Sequence, residues 1–454
     1  MPDLIVHPAE RPLIGSVPVP ADRRIAHRAL LLSALATGRS RVRAGALGDD
    51  LRATVGALRA LGVRVEEPSP GELVVEGVGL DGLRAPDGPI DCGASATAMR
   101  LLSGVLVAQR FAARLVGDAS LSRRPMERVA RPLRLRGGRI EGRLDPSKIG
   151  EITAPLEIGP LPAPHVLSSI EHELPAAWDE VKSALLLSGL YADGPTFVRE
   201  PIVSRDHTER MLTALGVPVD TVGAMVCLDA ARFSGALPAF DADVPGDLSA
   251  AAFLLAAAQL VPGSRVTARR VGLNPTRAGL LEVLRDMGSG VSVEVKEDSL
   301  GEPIGDLHAA SAGLRGGRAG GELASRSRGE LPILLGLGAR ARGVTEIFDA
   351  GELRAQQTDL IAAMAAALGA FGVRCEERPD GLLVEGRPDR PLDAADVDSR
   401  GDPHVAMTAA VLGLAASGPT RVRDAGCIAA SFPRFVGTLR ALGARIDVDG
   451  GRGA

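Results

Sequence analysis

Apolar positions along the chain switch between two periods in a fixed order. In residues 57–77 (ALRALGVRVEEPSPGELVVEG), Leu58 and Leu61 continue the helical spacing of Leu51 and Val55, Gly62 stops the helix, and Val63 and Val65 alternate as in a strand. A turn carrying Pro68, Pro70 and Gly71 follows, and Leu73–Val75 returns as a second strand. This order of helix, glycine stop, strand, turn and strand recurs from Pro132, Met211, Val283, Ala367 and Thr438. The six copies lie about 70 to 85 residues apart, and each is a unit that cannot bury its apolar face alone.

A chain of 454 residues exceeds one core. Six units therefore predict two domains of three units each. The segment Val244–Asp247 ahead of an Ala/Leu-rich helix is the candidate crossover, giving a continuous domain over 21–246 and a discontinuous one of 1–20 plus 247–454. Between the copies, Leu4–Val6 and Leu13–Val19 read as strands, Arg23–Thr37 and Val181–Leu190 as helices, and Gly316–Gly321 as a loose glycine turn.

Composition narrows the function. The formal net charge of −4 gives no footprint for nucleic acid. Pro2, Asp3, Glu10 and Arg11 interrupt any signal-like apolar run, and Leu254–Val261 is too short to span a bilayer, so a cytoplasmic protein without membrane partners is expected. Cys92, Cys227, Cys375 and Cys427 stand far apart with no C-x-x-C spacing. They read as small buried hydrophobes, not as a zinc site or disulfide framework, and no metal or cofactor is called for.

Several helix starts carry arginine. Arg23, Arg24 and Arg28 open the first helix, although cations disfavour a helix N-terminus unless an anion sits there. The stretch DCGASATAMRLLSG places Ser95 and Thr97 as caps with Arg100 one turn in, and GDASLSRRPMER adds Arg123 and Arg124. Each start taken alone is also compatible with a solvated basic face; their convergence points to an anionic ligand. Further on, Trp178, Asp179 and Glu180 precede an apolar helix, and Ser204, Arg205 and His207 open another, with Ser204 or Asp206 as N-cap.

These motifs, with VKSALLLSGLYADG, VPGDLSAAAF, VGLNPTR and CIAASFP, resemble the 5-enolpyruvylshikimate-3-phosphate synthase family of enolpyruvyl transferases over nearly the whole chain. The resemblance implies an α/β fold of two domains, each three βαβαββ units with pseudo-threefold symmetry, and an active site in the interdomain cleft. It also implies a monomer that moves the enolpyruvyl group of phosphoenolpyruvate to the 5-hydroxyl of shikimate 3-phosphate. Residue by residue, Arg23 stands for the lysine of the opening motif, Arg28 for its arginine, and Ser95, Thr97 and Arg100 for the loop that follows. Arg124 matches the arginine that holds the phosphate of phosphoenolpyruvate, and Ser204 and Arg205 also match.

Other positions depart from the family pattern. Trp178-Asp179-Glu180 replaces S-A-Q or S-S-Q, Gly329 replaces an aspartate, and the lysine, glutamate and arginine of K-E-S-D-R are absent around Gln356. His404 follows Pro403 where a histidine–arginine pair is usual, and Ala430 replaces a lysine. Hydrogen bonds to charged groups contribute roughly 1.5–3 kcal/mol each, so losing about four approaches the ~8 kcal/mol of a micromolar complex. The sequence thus predicts an enzyme acting on a shikimate-like anionic cyclic acid or polyol without phosphoenolpyruvate, by elimination or isomerisation. In that reading Asp179, Glu180, His207 and His404 supply acid/base chemistry, and Arg23, Arg28, Ser95, Thr97, Arg100, Arg124, Trp178, Ser204, Arg205 and Gln356 bind substrate. Retained enolpyruvyl transfer is the second reading and a non-catalytic metabolite-binding protein the third. As a bland alternative, the carboxylates and histidines are solvated helix-start residues and Trp178 is packing.

Overall fold

The computed structural model describes residues 2–354 and 358–450. It divides into two compact units, one of 1–20, 246–297 and 303–454 and the other of 21–245 with 298–302. Each has its own apolar core.

The unit of residues 21–245 is built from three four- or five-stranded sheets around three buried helices, Arg23–Leu35, Ala96–Leu106 and Asp179–Gly189. Within one repeat, Ile90–Asp91 pairs in parallel with Ala113–Val116, which pairs antiparallel with Ile152–Ile158, and that with Ile140–Leu144. The repeat beginning at Ile170–Glu173 has the same order. In the third, Ala36–Arg43 takes its parallel partners, Leu237–Pro238 and Asp241–Asp243, from the end of the unit. The buried helices are apolar on nearly every side, as a helix inside a ring of sheets must be. The amphipathic helices Asp49–Ala60, Glu127–Leu135 and His207–Ala214 bury one face each.

The other unit repeats this plan around Leu248–Leu260, Leu331–Gly338 and Pro403–Gly413. Its discontinuity has a structural cause. Asp3–Val6 lies antiparallel between Thr420–Arg423 and Ile446–Asp449, and Ile14–Pro18 pairs in parallel with Arg265–Gly272.

All six repeats end their outer helix by one device. A leucine carbonyl accepts from the amide five residues on, across a glycine at positive φ: Val63 to Leu58 at 3.0 Å, Gly138 to Leu133 at 3.0 Å, Val217 to Leu212 at 2.9 Å, Ser289 to Leu284 at 3.0 Å, Val373 to Leu368 at 3.1 Å and Ala444 to Leu439 at 3.0 Å.

Two local expectations change. The 316–321 stretch is not a loose turn: Arg318–Ala319 pairs with Val344–Ile347, and a Cβ on Gly316 would stand 1.9 Å from the Val344 carbonyl oxygen, so glycine there permits close strand approach. Among the cysteines only Cys92 is buried, and burial pushes its thiol up to about 12; Cys227, Cys375 and Cys427 are half-buried.

Candidate functional site

The N-termini of the three buried helices in the 21–245 unit meet, and the sequence reason differs for each. Asp22 caps the first, accepting from the amides of Arg24 (2.8 Å) and Ile25 (3.4 Å), which supplies the anion that the arginine-rich start requires. Ser95 Oγ caps the second, accepting from Ala98 N at 3.2 Å. Trp178 begins the third without a side-chain cap, and Asp179 and Glu180 in its first turn balance the positive helix end. Close packing holds the second and third together: a Cβ on Gly104 would lie 2.4 Å from the Ala184 carbonyl oxygen.

Glu180 joins two of these starts. Thr97 Oγ1 donates to its Oε1 at 2.5 Å, and Arg100 Nη1 donates to its Oε2. Arg100 Nη2 also donates to the Pro125 carbonyl at 3.3 Å. Asp179 is held more loosely, 3.6 Å from Arg28 Nη2 and 3.8 Å from Arg205 Nη1. Burial by itself would raise both carboxyl pKa values. Arg205, Arg28 and Arg24 outweigh it at Asp179, and Arg100, Thr97 and their hydrogen bonds do so at Glu180, so both are held below the usual carboxylate range. Arg128 lies over the half-buried Trp178 ring at 4.8 Å, and burial and the nearby Arg100 pull its pKa down. Arg24, Arg28, Arg100, Arg128 and Arg205 thus surround Asp179 and Glu180, and Glu151 also acts on Arg128.

The remaining predicted residues fall in several settings. Arg28 is buried and donates to Thr208 Oγ1 (2.8 Å), Ser183 Oγ (2.8 Å) and the Arg24 carbonyl (3.0 Å), so much of its donor capacity is committed to the fold. Arg23 is half-exposed and pairs with Asp50 at 3.0 Å. Arg124 is exposed. Ser204 Oγ donates to Glu200 Oε2 at 2.8 Å. Asp206 occupies the next N-cap, but its carboxylate accepts from Arg210 Nε at 2.9 Å and makes no cap bond. His207 is buried against Glu302 at 2.7 Å. His404 belongs to the other unit, 3.4 Å from Asp402, the N-cap of its helix. Gln356 lies outside the described residues.

Sequence reasoning missed Arg128, which lies one helical turn beyond Arg124, the signal that pointed to it. It also missed the buried Lys182, which bridges Glu200 and Glu209 at 2.8 Å each. The two carboxylates outweigh burial and raise the Lys182 pKa, while burial raises that of Glu209 despite the shared lysine. Among the described residues no cluster of three or more His, Cys, Asp or Glu can hold a metal ion, and no helix is long and apolar enough to cross a membrane.

A mixed α/β fold of two three-repeat units, with an arginine-rich cluster at converging helix N-termini, places the chain among the two-domain repeat proteins of the enolpyruvyl transferase type. The sequence profile of the EPSP synthase (3-phosphoshikimate 1-carboxyvinyltransferase) family matches residues 8–439, and the chain belongs to that family. It is 45% identical to the 3-phosphoshikimate 1-carboxyvinyltransferase of Halorhodospira halophila, over 96% of each chain. It is 44% identical to that of Geobacter sulfurreducens, over 98% of this chain and 100% of the relative. EPSP synthase from Acinetobacter baumannii superposes with a TM-score of 0.90 at 37% identity, covering 99% of this chain and 100% of that one.

These relatives overturn the expectation of elimination or isomerisation without phosphoenolpyruvate. Near-full-length relatives at 43–45% identity carry the transferase name. In the structure Asp179 and Glu180, nominated as acid/base groups, are ion-paired carboxylates held below their usual range, and His207 is buried against Glu302. Counting departures from the motifs one at a time also gave no weight to the other cations near the cluster, Arg24 and Arg128 among them.

Proposed function

We propose that the chain is a 3-phosphoshikimate 1-carboxyvinyltransferase. It moves the enolpyruvyl group of phosphoenolpyruvate to the 5-hydroxyl of 3-phosphoshikimate: the enol carbon–oxygen bond to phosphate breaks, a bond to the 5-oxygen forms, and the hydroxyl proton leaves with the phosphate. The observation that carries this reading is the near-full-length identity to relatives of that name. It is supported by the grouping of five guanidinium groups in one cluster, since both substrates are polyanions whose negative charge must be held during transfer.

In this reading Arg100, Arg128 and Arg205 face substrate anions from partly buried positions, and exposed Arg124 closes on the phosphate of phosphoenolpyruvate. Arg28 orients Asp179 and ties the first helix to the third through Ser183. Trp178-Asp179-Glu180 makes this a divergent version of the site, one that partly neutralises its own cations. The enzyme is read as a cytoplasmic monomer acting on soluble metabolites, with the two domains bounded near residue 246.

Inorganic phosphate should appear only when phosphoenolpyruvate and 3-phosphoshikimate are both present. Arg124→Ala removes one charge-assisted hydrogen bond and is expected to lower kcat/KM by about 10- to 100-fold. Phosphate release that ignores the acceptor, or an unchanged kcat/KM in the variant, would contradict the assignment.

A further inference from the structure

The carboxylates at the start of helix Asp179–Gly189 do something that the proposed reaction does not require. Glu180 presents one oxygen to Thr97 Oγ1 and the other to Arg100 Nη1, the two-point grip that an oxyanion of a ligand would make. Asp179 is unlike it. Its two nearest guanidinium nitrogens stand at 3.6 and 3.8 Å, beyond hydrogen-bonding distance, and its buried Oδ2 has no hydrogen-bond partner among the described residues. Arg100 Nε, also buried, likewise has no acceptor among them. One carboxylate is docked, the other is held by charge alone, and a cationic donor beside them is still unmatched.

We propose that Asp179 and Glu180 set the anion affinity of this site by acting as resident counter-anions: Glu180 occupies the Thr97–Arg100 grip, Asp179 occupies the field of Arg205 and Arg28, and a substrate oxyanion enters by exchange with them. That the oxyanion is the phosphate of the acceptor rests on the transferase reading; the exchange itself does not. Exchange is feasible because both carboxylates sit in the first helical turn, where a rotamer change carries the side chain away without moving the backbone. The consequence is selectivity for a ligand with enough charge to outcompete a carboxylate at short range, a phosphate dianion in preference to a monocarboxylate.

The test is calorimetric titration of inorganic phosphate into the full-length protein and into Glu180→Gln, Asp179→Asn and the double variant. Glu141→Gln, an exposed change on strand Ile140–Leu144, serves as the control for net charge. Glu180→Gln is expected to tighten phosphate binding by about tenfold, because a neutral amide no longer competes for Arg100. Asp179→Asn should tighten it less, the double variant most, and Glu141→Gln not at all. Unfolding midpoints keep the comparison to folded protein, and Asp179→Asn stands by itself should Glu180→Gln fail to fold. Equal or weaker phosphate binding in the folded variants overturns the proposal. Enolpyruvyl transfer by the parent protein with no such tightening removes this inference alone, whereas tightening without transfer supports it and removes the transferase reading.

Discussion

Asp50 shows how one residue is set by its surroundings. It accepts from Arg23 Nη1 at 3.0 Å and faces His27 Nε2 at 3.8 Å. Burial alone would raise its pKa, but the neighbouring His27 and the charge of Arg23 outweigh burial and carry it down to about 2. Because the folded-state value lies below the unfolded one, ionised Asp50 stabilises the fold above about pH 4, and this contribution is lost as pH falls toward 2. Asp50→Asn is expected to cost about 2 kcal/mol at pH 7, with the difference from the parent closing near pH 2 in urea unfolding. A difference that stays constant with pH would show that the ion pair contributes nothing. At this scale the sequence was only partly legible. The resemblance nominated Arg100, Thr97 and Glu180 from separate motifs, but the sequence could not show that Arg28 is committed to Ser183 and Thr208, or that the acidic pair neutralises arginines, because both depend on which helix starts meet.

Elements were far more legible, since the alternation of periods and the glycine stops lie in the sequence itself. The six helix ends share a positive-φ glycine and the same leucine acceptor. What escaped notice were two-residue strands such as Ile90–Asp91, too short to show a period, and the packing glycines. Two substitutions separate these roles. Gly216 has φ +82° with open space around its Cβ position, so Gly216→Ala is expected to cost about 1–2 kcal/mol from backbone strain alone, with kcat/KM unchanged. Gly104 is held against Ala184, so Gly104→Ala forces apart the helices carrying Arg100 and Glu180. It is expected to cost roughly 1–3 kcal/mol and to lower kcat/KM as well. Equal kinetic effects in the two variants would sink the view that this helix contact positions the site.

For the whole molecule, strands near the N-terminus complete sheets formed by residues far along the chain. Asp3–Val6 fills the gap between Thr420–Arg423 and Ile446–Asp449. A protein lacking residues 2–20 should lose amide-exchange protection in those two strands while helices Ala96–Leu106 and Asp179–Gly189 keep theirs; retained protection at 420–423 would refute that role. Two three-repeat units were visible in the chain's length and its repeats. The main reading of the reaction went astray because departures from a motif were weighed singly; enolpyruvyl transfer, held as the second reading, is the one that the relatives' names favour. The most direct measurement is a proton and phosphorus NMR time course of the purified protein with phosphoenolpyruvate and 3-phosphoshikimate. New vinyl ether signals appearing in step with inorganic phosphate are the predicted result. Unconsumed phosphoenolpyruvate with folded protein at substrate-level concentration would contradict the assignment.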